Sequence, residues 1–163
     1  IILQVTDAVQ CLYKNGFLYP DIKPQNILMS ASGEIQLCDY GHVSSLDSLE
    51  GDKNNISGTA DFISPERLTG AKEDCRSSLY SIGLLMHYIF TARKLYNAKS
   101  LQETAEKHVK NNAASFMKAE LKHLPINFIK LVERLTDKDR NMRLSSFPEF
   151  KGLVRKQLTV TPQ

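Results

Sequence analysis

Three residues in the stretch LYPDIKPQNILM, namely Asp21, Lys23 and Asn26, have side chains suited to handling a charged group in flight. A second acid, Asp39, follows in LCDYG. Phosphoryl transfer asks for such a set. One carboxylate accepts a hydroxyl proton, a second carboxylate and an amide oxygen hold a hard divalent cation, and a lysine stabilises the moving charge. Asp21, Asp39, Asn26 and Lys23 would supply these parts. Each piece taken alone also reads as a solvated turn. The ordered series is much harder to obtain by accident: D-I-K-P-Q-N, then a hairpin, D-Y-G, a long loop and GTADFISPE.

The elements that must position these residues are legible from periodicity. Ile1, Ile2, Val5, Ala8, Val9, Leu12 and Tyr13 form a helical stripe closed by Asn15-Gly16. The stripe starts at the first residue without a capping residue, as if the chain were cut inside a helix. Two apolar runs, Ile27–Met29 and Ile35–Cys38, flank SASG and predict a hairpin. Residues 39–64 are rich in turn formers and read as a long loop. SSLYSIGLLMHYIFTA is apolar nearly all round and predicts a buried central helix. LQETAEKHVKNN reads as a polar surface helix, and INFIKLVERLTD and FPEFKGLVRKQL as amphipathic helices on the core. The basic run KHVKNNAASFMKAELKH reads as a solvated face, and TVTPQ as a loose tail.

The 163 residues have room for one domain with a core, at 42% apolar and 24% charged residues. A net charge of +3 argues for neither a nucleic-acid nor a membrane partner. Cys11, Cys38 and Cys75 are scattered and odd in number, which predicts a reducing, intracellular setting, cytoplasmic or nuclear. Cys38 reads as a small buried strand residue. The four histidines do not meet the cysteines at metal-ligand spacing, so no zinc site is expected.

Nearly end to end, the chain resembles the C-terminal lobe of a eukaryotic protein kinase of the serine/threonine type. The pattern H-R-D-L-x-x-x-N is matched by Tyr19-Pro20-Asp21-Ile22 and Asn26, D-F-G by Asp39-Tyr40-Gly41, and A-P-E by Ser64-Pro65-Glu66. GEIQLCDYG and SPERLTG are most similar to MAP kinase kinases, and DYGHV resembles Wee-type kinases. The resemblance implies a mainly α fold over 1–158: a helical body, a small β-hairpin and a long activation segment, with 159–163 as the tail. It implies ATP and Mg2+, with Asp21, Lys23 and Asn26 catalytic, Asn26 and Asp39 on the metal, and Gly41 joining them at the nucleotide. It places Ser44, Ser45, Ser48, Ser57 and Thr59 in the activation segment, and a protein substrate of unspecified identity at the site. It also pairs Glu66 with Arg143, with Arg140 as the fallback.

The departures carry information too. Pro20 stands where the family has an arginine that grips an activation-loop phosphate, so that clamp is not available. Ser78 stands where the family has an aspartate accepting backbone N–H groups from the loop before the catalytic acid. Proline has no N–H to give, so the two changes make sense as a pair, and Ser78 should make at most one bond to that loop. These residues contain no G-x-G-x-x-G and no V-A-I-K-type lysine. The family's N-terminal lobe would precede Ile1, so the sequence predicts a fragment that binds ATP poorly and is inactive alone. A pseudokinase acting as a binding or scaffold module is the alternative.

Overall fold

A computed structural model describes residues 1–48, 60–96 and 98–159. Seven helices and four short strands lie among them. The stripe read from the N-terminal stretch becomes α1 (Ile2–Lys14), with Val5 and Val9 buried. Strand β1 (Phe17–Leu18) leads into the loop carrying Asp21. Strands β2 (Ile27–Met29) and β3 (Ile35–Leu37) form the expected hairpin in antiparallel register, Ile27 opposite Leu37 and Met29 opposite Ile35. Gln4 of α1 pins it from below: its Nε2 donates to the Gly33 carbonyl at 3.1 Å, and its Oε1 accepts the Ile35 N–H at 2.9 Å.

The stretch read as one long loop holds more order than its composition suggests. Strand β4 (Ser44–Ser45) pairs with β1, Phe17 opposite Ser45 and Leu18 opposite Ser44. The Leu46 N–H extends the pairing by donating to the Gly16 carbonyl at 2.8 Å. Short 3₁₀ turns cover Leu46–Ser48 and Ala60–Phe62. Helix α2 (Pro65–Thr69) follows, with Pro65 in its first turn and Gly70 closing it at φ 70°.

Helix α3 (Cys75–Thr91) is the buried axis of the molecule. Asp74 and Ser77 start it with a reciprocal capping box. Its residues from Ser77 to His87 are buried, but its last turn exposes Ile89 and Phe90, so it is not apolar-buried throughout. Gly83 sets its approach to α6 (Ile126–Leu135). A Cβ at that position would lie 2.5 Å from Thr136 Cγ2 and 2.8 Å from Leu135 Cβ, so only glycine allows this closeness.

Helix α4 (Leu101–Lys110) is polar in sequence yet not a pure surface helix, because Thr104 and His108 are buried. Helix α5 (Ala113–Glu120) likewise departs from a solvated face: Ala113 and Met117 enter the core, followed by Leu121. Helix α7 (Phe147–Thr159) packs on α1, with Phe147 and Phe150 buried and Lys151 Nζ 2.6 Å from Asp7. Thr159 is its last residue, and the remainder of the expected tail lies outside the described residues. No described helix is long and apolar enough to cross a membrane.

Candidate active site

The site is built on two chain segments joined by one backbone bond. A 3₁₀ turn over Pro24–Asn26 ends the loop that starts at Asp21. Pro24 presets the first position of this turn, and the Asn26 N–H donates to the Lys23 carbonyl at 3.0 Å. The Asn26 carbonyl then accepts the Cys38 N–H at 3.0 Å. This bond continues the β2–β3 ladder past its last pair and brings Asp39 beside the Asp21–Asn26 loop.

Within the loop, Asn26 is 5% exposed and its amide nitrogen donates twice: to the Asp21 carbonyl at 2.9 Å and to Asp21 Oδ2 at 2.7 Å. Both partners are acceptors, so the atom facing them is the NH2 group. The amide oxygen therefore points the other way. Lys23 Nζ lies 2.7 Å from the same Oδ2, with both side chains about one-sixth exposed or less. The Asn26 and Lys23 contacts to this carboxylate both fall on Oδ2. Asp21, Lys23 and Asn26 are thus one bonded constellation.

Asp39 is exposed and has φ 59°, the left-handed region that costs an ordinary side chain energy and recurs at functional sites. Its carboxylate Oδ1 lies 3.4 Å from the Gly41 N–H. A Cβ on Gly41 would come into ordinary contact with that same oxygen at 3.4 Å. Tyr19, 1% exposed, holds this segment from beneath. Its hydroxyl donates to the Cys38 carbonyl at 2.5 Å, and its ring meets Tyr40 edge-on at 5.7 Å. Burial pushes the Tyr19 phenol well above its ordinary range, with Asp21 adding to the effect, so it stays a neutral donor. Cys38 is partly exposed and sits one residue past the strand, a correction to its reading as a buried strand residue.

The donor set is of the kind a hard divalent cation takes. Asn26 Oδ1 and the Asp39 carboxylate are hard oxygens, and no group of three or more His, Cys, Asp or Glu side chains forms a metal cluster among the described residues. Two protein oxygens, the rest left to phosphates and water, is what Mg2+ accepts and what a dedicated cage for zinc or calcium is not. Leu28, Met29 and Tyr40 are 55%, 60% and 53% exposed, so apolar surface adjoins the polar constellation.

The remaining expected residues fall in three places. Ser44 and Ser45 are fixed in β4, and Ser48 ends the following 3₁₀ turn. Ser57 and Thr59 lie outside the described residues. Glu66 and Arg143 meet away from the polar constellation, at 2.8 and 3.0 Å, while Arg140 donates instead to the Lys72 carbonyl at 2.7 Å. Ser78 is 3% exposed, and its hydroxyl has no hydrogen-bond partner. Sequence reasoning did not find the Tyr19–Cys38 bond or the Gln4 clamp. Their acceptors and donors are largely backbone groups, which leave no mark in residue type.

Residues 1–157 match the family model described as protein kinase domain. The chain belongs to the protein kinase domain family, of the serine/threonine type. It is 30% identical over 155 residues to a probable serine/threonine-protein kinase of Clostridium perfringens, covering 94% of this chain and 22% of that protein. It is 30% identical over 154 residues to the probable serine/threonine-protein kinase PknB of Bifidobacterium longum, covering 93% and 22%. It is also 30% identical over 161 residues to protein kinase 3 of Dictyostelium discoideum, covering 93% and 17%. The chain thus spans about a fifth of the length of these relatives.

Proposed function

We propose that this chain is the catalytic lobe of an ATP-dependent protein serine/threonine or dual-specificity kinase. The observation that carries the reading is the pair of hydrogen bonds from the Asn26 amide to Asp21, with the Asn26 backbone carbonyl accepting the N–H of Cys38, the residue before Asp39. On this reading the base, the cation and the two hard oxygens of Asn26 and Asp39 serve one phosphoryl group. Asp21 accepts the proton of the attacking hydroxyl. Lys23, bonded to the same carboxylate, stands ready for the phosphoryl oxygens. Asn26 Oδ1 and Asp39 are the residues that would hold Mg2+, which when bound would neutralise phosphate charge. Leu28, two residues beyond Asn26 on the strand and so on the same face, offers exposed apolar surface beside it.

Alone, these 163 residues do not bind Mg-ATP in the micromolar range and do not phosphorylate a substrate, because they contain neither a glycine-rich phosphate loop nor a V-A-I-K-type lysine. The deciding experiment is ATP-dependent phosphorylation by the full-length protein that contains them, with Asp21→Asn alongside. Activity abolished by Asp21→Asn supports the reading, and a full-length protein inert toward broad substrate panels removes it. In that case the second reading, a pseudokinase scaffold, takes over. It is favoured by Pro20 in the place of the phosphate-gripping arginine and by the unpartnered hydroxyl of Ser78.

A further inference from the structure

Asp39 lies two residues past the end of β3, and the other end of that strand is fastened by a side chain of α1. Gln4 Nε2 donates to the Gly33 carbonyl at 3.1 Å, and Gln4 Oε1 accepts the Ile35 N–H at 2.9 Å. Turning the amide over would set carbonyl against carbonyl and N–H against N–H, so one orientation alone serves both ends. Strand β2 does not compete for the Ile35 N–H. Across the hairpin, the Ser30 N–H goes to the Glu34 carbonyl and the Cys38 N–H to the Asn26 carbonyl. This alternation puts Ile35 and Met29 in a pair whose N–H groups face outward. Gln4 therefore takes the outer edge of β3, and it does so from a helix whose Val5 and Val9 are in the core.

Apolar contacts cannot do the same job. Leu37 is buried and Ile35 partly so, and both press β3 onto the core. Such contacts resist lifting, but they are non-directional and leave a strand free to shift along its axis. Hydrogen bonds are directional and short in reach, so they fix that axial position. The outer strand adds little support, since Leu28 and Met29 are exposed and a lone two-stranded hairpin is marginal in water. The φ of 59° at Asp39 is moreover a conformation that persists only where the surroundings impose it. The Cys38 bond to Asn26 and the Tyr19 hydroxyl hold the near end of the hairpin. Gln4 holds the far end, so the hairpin cannot pivot about the near one.

We infer that Gln4 is a positioning residue for the candidate metal pair. By fixing β3 along α1, it sets where the Asp39 carboxylate stands relative to Asn26 Oδ1. Its own bonds go to Gly33 and Ile35, so it acts through the strand and not on the cation. The inference rests on the kinase reading for assigning Asn26 and Asp39 to a divalent cation. It goes beyond that reading by placing a control of the pair on α1, at the opposite end of the hairpin.

Gln4→Met keeps the length of the side chain and loses both bonds, and at an exposed position it should fold. In the full-length protein that contains these residues, hydrogen exchange is followed by mass spectrometry. Binding of Mn2+ alone, which suits the same hard oxygens as Mg2+, is followed by electron paramagnetic resonance. Gln4→Met should speed exchange over 26–38 about ten-fold, the factor expected from losing two exposed neutral hydrogen bonds. Residues 79–86 of α3 should keep their parental rates. Mn2+ binding should weaken about five-fold, less than the loss of a group bonded directly to a metal ligand. Unchanged exchange over 26–38, equal acceleration over 79–86, or parental Mn2+ binding despite faster hairpin exchange would each overturn the proposal. Neither readout needs phosphoryl transfer, so a protein inert as a kinase can still pass both. Asp39→Asn separates the two readings. If it abolishes Mn2+ binding and Gln4→Met does not weaken it, only the role of Gln4 falls. If Mn2+ binding survives Asp39→Asn, the cation assignment falls and the proposal with it.

Discussion

Glu66 and Arg143, 77 residues apart in sequence, face each other fork to fork inside the protein. All five guanidinium N–H groups are used. Two go to Glu66, and the others go to the carbonyls of Asp137, Arg76 and Lys138 at 2.6, 3.1 and 3.3 Å. Ser77 donates to Glu66 Oε1 at 2.6 Å, and the Tyr80 ring lies under the guanidinium at 4.6 Å. The pair ties α2 to the turn before α7 across the first turn of α3. Burial pushes the Glu66 carboxyl up, but the bonds from Arg143 and Ser77 outweigh it and hold the group below its ordinary value. Arg143→Ala should lower the unfolding free energy by about 3–5 kcal/mol, since it strands a buried carboxylate. Urea denaturation measures this, and a loss below about 1 kcal/mol would mean the pair is idle.

Tyr19→Phe keeps the ring against Tyr40 and removes only the hydroxyl, leaving the Cys38 carbonyl without that bond. The expected loss is about 1 kcal/mol of stability. In the full-length protein, Mg-ATP affinity should fall with it, because Asp39 follows directly. An unchanged affinity at lowered stability would confine Tyr19 to packing.

Ser78 carries a buried hydroxyl without a partner. Ser78→Ala should therefore be neutral or stabilising, as nothing is left unmade. Ser78→Asp should destabilise, and Pro20→Arg added to it should recover much of the loss by restoring a backbone N–H. Residues in contact couple by roughly 0.5–3 kcal/mol, and a value in that range is the expected outcome. Strict additivity would make Pro20 and Ser78 independent.

Glu73 gives stability a downward slope with pH. Burial pushes its carboxyl from 4.5 up to about 7, and Arg67, 3.9 Å away, offsets only part of this. The folded chain keeps that proton where the unfolded chain has lost it. The contribution is full below pH 4.5 and is lost as pH rises toward 7. His108 runs oppositely: burial lowers it from 6.5 to about 4, so its stabilising neutrality is lost as pH falls from 6.5 toward 4. Glu73→Gln should flatten the first slope and leave the second. A variant and parent whose urea midpoints stay parallel from pH 4.5 to 7 would contradict this.

The motif residues were legible because chemistry restricts their types: an acid, an amide and a lysine cannot be traded freely. The hairpin was legible from two apolar runs around the turn formers SASG, and the buried axis from a stretch that is apolar nearly all round. Strands β1 and β4 were not, since two residues each show no alternation. Helix α4 misled because its inward face is made of Thr104 and His108. The Tyr80 hydroxyl lies 2.8 Å from His108 Nδ1, a buried contact that a hydrophobic pattern does not register. The Glu66–Arg143 pair was reached through family resemblance, and nothing in the spacing of two residues 77 apart announces it.

The bond from the Cys38 N–H to the Asn26 carbonyl belongs to no side chain. Substitution at either position, proline at 38 excepted, can alter what the two segments present, but not the fact that they are fastened together. The site's chemistry is therefore open to mutation while its spacing is inherited from the chain trace. A lineage that lost Asp21 or Asp39 would keep the frame intact, so catalysis could be abandoned and regained by single substitutions without the fold being rebuilt.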